Sequence, residues 1–220
     1  MIDTQAIFLS LQLAFCTLLI ILPLGIWLAH HLVTAGRWKP WLEALLALPL
    51  VLPPTVLGYY LLVGFSGKTL FGEPLVFSFL GILIASLIVN LPFAVQPIQR
   101  AFEAIPNALK EAAEVCGLNA WQIFYRINLP LAWRGVLSAA VLTFAHTLGE
   151  FGVILMIGGA IPGKTKTASI AIYDQVQSFN VSGAGLLSLL LLGISLCAIV
   201  ISYGFFGANS QRRAQRIGSC

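Results

Sequence analysis

The chain has 220 residues, of which 59% are hydrophobic and 9% are charged, with a formal net charge of +4. Soluble domains carry about 25% charged residues, so this composition excludes a soluble globular protein. A helix needs about 20 apolar residues to cross a bilayer. Stretches of about this length lie at residues 7–32, 42–65, 75–98, 135–159 and 184–206. Because they are apolar on every face, unlike barrel strands, we predict an all-α, polytopic membrane protein with five transmembrane helices in a single domain over 1–220.

Lys and Arg residues are distributed unevenly between the predicted loops. With the N-terminus outside, nine lie on the inner face and three on the outer face. The inner ones are Arg37, Lys39, Arg100, Lys110, Arg126, Arg134, Arg212, Arg213 and Arg216, and the outer ones are Lys68, Lys164 and Lys166. Since short cytoplasmic loops carry the positive excess, the N-terminus is predicted outside and the C-terminus inside. Topology accounts for the basic charge, and no nucleic acid partner is expected.

The predicted cytoplasmic loop at about residues 99–133 contains a charged, mildly amphipathic segment. Pro106 is suited to begin a helix, and Gly117 to end it in the left-handed conformation. Asn119 and Gln122 have the spacing of a capping box for a second short helix. Its apolar face and its end are assigned to Ala120, Ile123, Phe124, Ile127 and Pro130. Spacing alone does not distinguish a helix lying on the membrane from one that docks a soluble protein.

Seven residues in this loop resemble the EAA-x3-G-x9-I-x-LP pattern of bacterial ABC importer permeases. They are Glu111, Ala112, Ala113, Gly117, Ile127, Leu129 and Pro130. The resemblance implies a coupling helix that docks on a cytoplasmic ATPase, with Glu111 as a polar contact and the two alanines allowing close approach. It implies that Gly117 forms the turn. Its implied partners are two ATPase subunits, a periplasmic oxyanion-binding protein and a second copy of the chain, in addition to the lipids of the bacterial inner membrane.

Three further stretches resemble the molybdate branch of the sulfate, molybdate and tungstate permeases. They read LALPLVLPPTVLGYYLL at residues 46–62, HTLGEFGVILMIGG at 146–159 and IPGKTKTASIAIYDQVQ at 161–177. The resemblance implies the permease subunit of an ATP-driven importer for a tetrahedral oxyanion, with molybdate first and sulfate, thiosulfate or tungstate as alternatives. A proton-coupled secondary transporter is the alternative from another class. The chain itself is expected to carry no catalytic site, because ATP is hydrolysed by a separate subunit.

Residues 158–165 read GGAIPGKT and satisfy the phosphate-binding pattern G-x-x-x-x-G-K-[ST]. A P-loop requires a buried strand before the glycines and a helix after them. Here an apolar span precedes the motif and the charge distribution places it outside, so we interpret the match as coincidental. A solvated outer loop is the favoured interpretation, and docking or anion attraction is the functional alternative. That alternative rests on Lys164, Thr165, Lys166 and Thr167.

Ionisable groups and prolines within the spans are the remaining candidates for a gate or pathway. His146 and Glu150 lie four residues apart on one helix face. A charge at a span centre costs about 2.5 to 3.5 kcal/mol, so Glu150 is expected to face protein or water. We favour a hydrogen-bonding role over a proton relay. Pro49, Pro53 and Pro54 predict a kink, with a broken helix beside the pathway as the alternative. The four cysteines show no metal-ligand spacing, and neither a metal nor a cofactor is expected.

Overall fold

A computed structural model describes residues 3–67 and 75–217, with side chains up to residue 200. The helices are α1 (Thr4–Thr34), α2 (Lys39–Val51), α3 (Pro54–Ser66), α4 (Phe79–Glu103), α5 (Asn107–Val115), α6 (Ala120–Ile123), α7 (Leu129–Gly149), α8 (Gly152–Gly158), α9 (Ala168–Gln177) and α10 (Val181–Ile217). A 3-10 turn (Gly36–Trp38) precedes α2, and a π-helical segment (Phe124–Asn128) joins α6 to α7. These ranges contain no strand, and the all-α prediction is confirmed. Lys68 and Cys220 lie outside the described residues.

Within the described residues, four helices are long and apolar enough to cross a membrane, and a bent pair of helices can count as a fifth span. The four are α1, α4, the continuous helix Ala120–Gly149, and Val181–Val200 of α10. The second predicted span, residues 42–65, is instead divided into α2 and α3, which meet at 103°. The favoured kink is therefore wrong at this position. Leu52 is extended, with ψ 135°, because the residue before a proline avoids the helical region. Pro53 and Pro54 also lack the N–H groups that would continue the helix.

The fourth predicted span, residues 135–159, is divided as well. Helix α7 ends at Gly149, Glu150 is extended with ψ 125°, and α8 begins at Gly152. The predicted helix end at Pro130 is wrong, because the chain continues from α6 through the π segment into α7. There the N–H of Leu129 donates to the carbonyl of Phe124, five residues earlier. This wider turn places Pro130 at the start of α7, where its missing N–H is tolerated.

Helices α1, α4 and α7 form the centre of the bundle. We call the end at which α5 lies the α5 end and the opposite end the α9 end. Buried apolar side chains near the α5 end are Ala29, Leu32, Val95, Ile98, Phe102, Ile105, Ala132 and Ala139. Near the α9 end they are Leu13, Ile82, Leu83, Ile154 and Ile170. Helices α4 and α7 approach closely, since a Cβ at Gly135 would lie 2.7 Å from the carbonyl oxygen of Pro97.

The second halves of the two divided spans pack against each other. A Cβ at Gly58 of α3 would lie 2.9 Å from the Cβ of Met156 of α8. A Cβ at Gly152 would lie 2.9 Å from the Cβ of Pro54. Small residues at such crossings allow backbones to approach closely in membrane bundles. The two helix breaks are therefore neighbours inside the bundle.

Candidate functional site

Helix α5 ends in a tight turn at Gly117, which has φ +81°. The N–H of Leu118 donates to the carbonyl of Ala113 at 3.1 Å, and the N–H of Gly117 donates to that of Glu114 at 2.9 Å. These two bonds define a Schellman motif, which satisfies carbonyls at the helix end. No atom outside the turn lies within 4 Å of a Cβ built on Gly117. The predicted left-handed turn is confirmed. Glycine is required here by the backbone conformation, because there is enough space for a side chain.

A capping box starts α6 directly after this turn. The N–H of Gln122 donates to Oδ1 of Asn119 at 2.8 Å, and the N–H of Asn119 donates to Oε1 of Gln122 at 2.9 Å. Both bonds were expected from the spacing, and both are confirmed. Together the turn and the box fix the angle at which the chain leaves α5.

The seven residues of the EAA-type pattern do not share one face. Ala113 is 7% exposed and faces the bundle. Those on the surface are Glu111, Ala112, Gly117 and Pro130, and those half-buried are Ile127 and Leu129. Leu109 and Val115 were not singled out from the sequence, yet they are 43% and 89% exposed on the same short helix. Helix α5 is thus anchored through a small residue and presents a mixed apolar and acidic surface.

A polar network crosses the middle of the bundle through Asn90, which is fully buried in α4. Its Nδ2 donates to the carbonyl of Ser86 at 2.8 Å, and its Oδ1 lies 3.1 Å from Nδ1 of His146. The hydroxyl of Thr17 donates to that of Ser86 at 3.1 Å. The ring of Phe93 stacks on His146 with centroids 4.2 Å apart. The network therefore holds α1, α4 and α7 together and fixes the His146 ring beside the helix breaks.

Glu150 occupies the break between α7 and α8 and is 8% exposed. Its Oε1 accepts the N–H of Val153 at 3.0 Å, and its carbonyl accepts the hydroxyl of Ser169 at 2.7 Å. A carboxylate at the first turn of a helix is favoured by the unpaired N–H groups there. The other carboxylate oxygen lies 3.8 Å from Nε2 of His146. The prediction that Glu150 faces protein is confirmed.

Two cavities open between the divided second span and α4. A cavity of about 140 Å³ at the breaks is lined by Pro54, Phe93, His146 and Glu150 among others, while Pro53 is outside it. A second cavity of about 380 Å³, nearer the α5 end, is lined in part by Glu43, Gln96, Gln99 and Arg100. Of the residues predicted for a gate or pathway, the first cavity brings together Pro49, Pro54, His146 and Glu150. The second cavity was not predicted from the sequence.

Sequence reasoning missed the polar cluster beside this second cavity. The side-chain amide of Gln99 donates to the carboxylates of both Glu43 and Glu103. Lys39 Nζ lies 2.7 Å from Oε1 of Glu103, and Arg100 Nη1 lies 2.9 Å from its Oε2. One signal was available, because Glu43 is a carboxylate inside a predicted span, where ionisable residues are rare.

The loop between α8 and α9 is built from buried threonines. Thr165 and Thr167 are 0% and 2% exposed. The Thr165 hydroxyl donates to the carbonyl of Gly158 at 2.6 Å and accepts the N–H of Ile161 at 3.2 Å. The expectation of a solvated loop is therefore wrong for both threonines, because their hydroxyls pair with neighbouring polar groups. The same hydroxyl closes the GGAIPGKT turn on itself, and a helix rather than a strand precedes it, so the P-loop geometry is not formed.

The two lysines of this loop differ in their surroundings. Lys166 is 19% exposed at its side chain, and its Nζ lies 2.7 Å from Oδ2 of Asp174 and 4.0 Å from Oδ2 of Asp3. Lys164 is exposed, and no ion pair involving it occurs among the side chains of residues 3–67 and 75–200. Lys164 is thus the cation of this loop that a soluble partner or an anion can reach.

The fold and these segments define a polytopic helical membrane protein with an exposed short helix at one end. The chain matches the family described as "Binding-protein-dependent transport system inner membrane component" over residues 21–216. It therefore belongs to this family of ABC transporter permeases and is a multi-pass protein of the inner membrane.

Similar proteins indicate which members of this family the chain resembles. The Molybdenum transport system permease protein ModB of Azotobacter vinelandii is 44% identical over 194 residues, covering 83% of this chain and 84% of that protein. ModB of Escherichia coli K12 is 38% identical, covering 97% of each. The sulfate transport system permease protein CysT of the same organism is 33% identical, covering 70% of this chain and 58% of that protein. The molybdenum permeases thus match this chain over more of their own length.

A solved structure of the MetNI methionine ABC transporter in inward-facing conformations shows the same fold. Its matching chain superposes with a TM-score of 0.72 at 18% sequence identity, covering 94% of this chain and 93% of that chain. At this identity the likeness concerns the fold alone.

Proposed function

We propose that this chain, as one domain, is the transmembrane permease subunit of an ATP-driven importer that carries molybdate across the inner membrane. The observation that carries the proposal is the 38% identity to a molybdenum permease over 97% of both chains. Sulfate or thiosulfate is the weaker alternative, because the sulfate permease match covers 58% of that protein. Tungstate is a tetrahedral dianion like molybdate. The experiment below distinguishes the two by replacing molybdate with tungstate.

Two ATPase subunits and a periplasmic oxyanion-binding protein are the proposed soluble partners. The exposed face of α5, with Glu111, Ala112 and Val115, supports ATPase docking because it is partly apolar and its direction is fixed at Gly117. Basic residues on or beside the helices at this end support a cytoplasmic location, with the N-terminus outside. On the opposite side, Lys164 is the proposed contact for the binding protein or its anion. Thr165 and Thr167 shape the loop that presents it.

A second copy of the chain is proposed to cover the face that contains the two cavities. Gln96 is exposed within α4, and the Arg100 side chain is 73% exposed near the end of the same span. Polar groups at membrane depth face protein or a water-filled route, not lipid. A hydrated route between two copies satisfies these groups and avoids placing a dianion in hydrocarbon. Movements of the ATPase then open this route to one side of the membrane at a time.

The two neighbouring helix breaks are the proposed gate. Pro53 and Pro54 define one break and Glu150 the other, with His146 held between them by Asn90. Short segments of extended backbone absorb the dihedral changes of domain motions. The Glu150 carboxylate is bonded to α8 and buried, so its proposed role is to hold the break, not to contact the dianion.

The direct test is ATP hydrolysis by the chain with its co-expressed ATPase in liposomes, with and without binding protein and molybdate. Hydrolysis is expected to rise with loaded binding protein and to lose this stimulation in Gly117→Val, because a β-branched residue strains the left-handed turn. The matched control is Gly36→Val, which also has a positive φ, +56°, and open space. Replacing molybdate by sulfate or tungstate identifies the ion.

The competing proposal is a proton-coupled transporter. The observation that favours it is the close approach of His146 and Glu150 inside the bundle. If no ATPase co-purifies, and uptake of molybdate follows a proton gradient in liposomes without ATP, the importer proposal is wrong. If Gly36→Val and Gly117→Val lose stimulation equally, the effect is one of general strain and the docking role of α5 is not supported.

A further inference from the structure

A cavity of about 480 Å³ lies at the α5 end, between the last turns of α1 and the start of the helix Ala120–Gly149. It is separate from the two cavities beside α2 and from the exposed face of α5. Its lining includes the half-buried Ile26 and Leu129, and its more exposed part, here called the rim, includes Trp27 and Trp121, with the half-buried His30 next to Trp27 in α1. The cavity therefore joins an apolar interior to a rim of side chains with polar edges.

Aromatic contacts order this rim. The rings of His30 and Phe124 have centroids 4.8 Å apart, and those of Trp121 and Tyr125 are 4.6 Å apart. Trp27 is 57% exposed, Trp121 68% and Tyr125 49%. Trp and Tyr with one apolar side and one polar edge are enriched where a membrane meets water. The rim thus has the aromatic composition that is typical of the headgroup region of a membrane, and here these side chains surround a concave site.

The cavity continues an exposed apolar stripe of α1. Every exposed position between residues 15 and 27 is apolar, and the exposed set is Phe15, Leu19, Ile20, Pro23, Leu24 and Trp27. The face proposed for the second copy is different, because it carries Gln96 and Arg100 on α4. An acyl chain lying along α1 therefore reaches the cavity without leaving an apolar surface.

Two cations lie near the cavity, although neither of them lines it. Lys110 lies close enough to His30 to interact with it electrostatically, and Arg126 follows Tyr125 directly in the π segment. Neither has an ion-pair partner in the part of the chain that the structure describes. Lys110 is three residues before the buried Ala113, so it points toward the bundle, whereas Glu111 and Glu114 are exposed. Lys110 and Arg126 thus carry positive charge close to two residues of the cavity lining, His30 and Tyr125.

We infer that this cavity binds one phospholipid with an anionic headgroup, with its acyl chain between Ile26 and Leu129 and its phosphate near Lys110 and Arg126. The assignment of this lipid to the inner leaflet rests on the proposed orientation. The binding itself is independent of transport. Because Trp121 and Phe124 belong to the segment that follows Gly117, the lipid contacts the helix that continues the ATPase-docking segment.

Lipid binding to the purified full-length chain tests the inference by native mass spectrometry in detergent, with phosphatidylglycerol and phosphatidylcholine as probes. One phosphatidylglycerol is expected to bind at least fivefold more tightly than phosphatidylcholine. Each basic residue near a headgroup contributes about a fivefold change in affinity. Lys110→Gln and Arg126→Gln should each lower phosphatidylglycerol affinity by about this factor and leave phosphatidylcholine affinity unchanged.

Two matched controls locate the site. Lys164→Gln removes the same charge from the distant α8–α9 loop and should leave the affinity for both lipids unchanged. Ala120→Phe fills the cavity and should weaken both lipids, whereas Ala108→Phe, at an exposed α5 position outside the cavity, should not. Both alanines are exposed, so both proteins are expected to fold, and elution as a single peak verifies it.

Four outcomes overturn the inference. They are equal affinity of the wild-type chain for both lipids, an equal loss in Lys164→Gln, retention of tight phosphatidylglycerol binding in Ala120→Phe, and loss of a second copy in Ala120→Phe with lipid binding intact. The last outcome would show that another copy of the chain covers the cavity. None of these results depends on ATP hydrolysis, so failure here leaves the transport proposal standing.

Discussion

The α5–α6 segment and the α8–α9 loop both interrupt an apolar bundle, but they are stabilised in opposite ways. The first is shaped by local backbone bonds at Gly117 and Asn119, and it leaves most of its side chains exposed. The second buries Thr165 and Thr167 and is tied to α1, where the Ser10 hydroxyl accepts the N–H of Ala168 at 2.8 Å. The surface proposed to dock the ATPase thus keeps its shape through local bonds, while the opposite loop is part of the bundle.

This difference predicts that one region contributes mainly to the stability of the fold and the other mainly to coupling with the ATPase. Substitutions of the buried threonines in the α8–α9 loop should lower the free energy of unfolding of the whole chain, because they leave buried polar groups without partners. Substitutions in the α5–α6 segment should act mainly on the ATPase and cost less stability. The variants below test that division in order of expected effect.

Thr165→Val should give the largest loss of stability, about 3 kcal/mol, because the carbonyl of Gly158 and the N–H of Ile161 both lose their buried partner. The measurement is the free energy of unfolding by SDS in mixed micelles. Thr55→Val is the matched control, since Thr55 is exposed in α3. A loss below about 1 kcal/mol in Thr165→Val would mean that the α8–α9 loop contributes no more to stability than the α5–α6 segment. The proposed difference between the two regions would then be wrong.

Glu150→Ala, at the break between α7 and α8, should cost about 2 kcal/mol, because a hydrogen bond to a charged group is lost at the N–H of Val153. Glu150→Gln keeps an acceptor there and should recover more than half of that loss in the same unfolding assay. It should also retain binding-protein-stimulated ATP hydrolysis. Wild-type stability of Glu150→Gln with complete loss of transport would instead indicate that the carboxylate carries protons.

Asn119→Ala should cost about 1 kcal/mol by removing the cap of α6. It should also lower stimulated ATP hydrolysis more than its stability loss explains, because α6 continues the docking segment. Asn107→Ala is the control, since α5 begins after Pro106 without a side-chain cap. Equal hydrolysis by the two variants at matched folded fractions would contradict the role of the capping box in coupling.

The two segments also differ in how far their structure follows from the sequence. Gly117, Asn119 and Gln122 were assigned correctly because a turn and a capping box depend on residues within about five positions. The transmembrane spans were predicted because apolar length is a local property. Local information also supplied the expectation that Glu150 does not face lipid.

What the sequence left open is non-local. Thr165 and Thr167 have the composition of an ordinary polar loop, and their burial depends on the fold. The N–H of Ala168, the residue after Thr167, donates to the hydroxyl of Ser10 of α1, 158 positions away. The contact of Gln99 with Glu43 spans 56 positions. Hydropathy is similar on both sides of each helix break, so length and composition give one span where the structure has two helices.

The passage through Pro130 has a different cause. A proline ordinarily ends a helix at the preceding turn, and the pattern from Asn119 onward predicted that end. The π segment Phe124–Asn128 lets the helix continue, because it adds a residue to the turn just before the proline. Nothing in the spacing of the apolar residues signals this insertion.

Lys166→Gln should have the smallest effect, about 0.5 kcal/mol, although Lys166 is the charged residue that ties the α8–α9 loop to Asp174 and approaches Asp3. Asp174 has a side chain 41% exposed, and solvent screening keeps such ion pairs weak. The loss should shrink further in 0.5 M salt, and Lys164→Gln should show none. An effect as large as that of Thr165→Val would mean that charge, rather than the buried hydroxyls, holds this loop in the bundle.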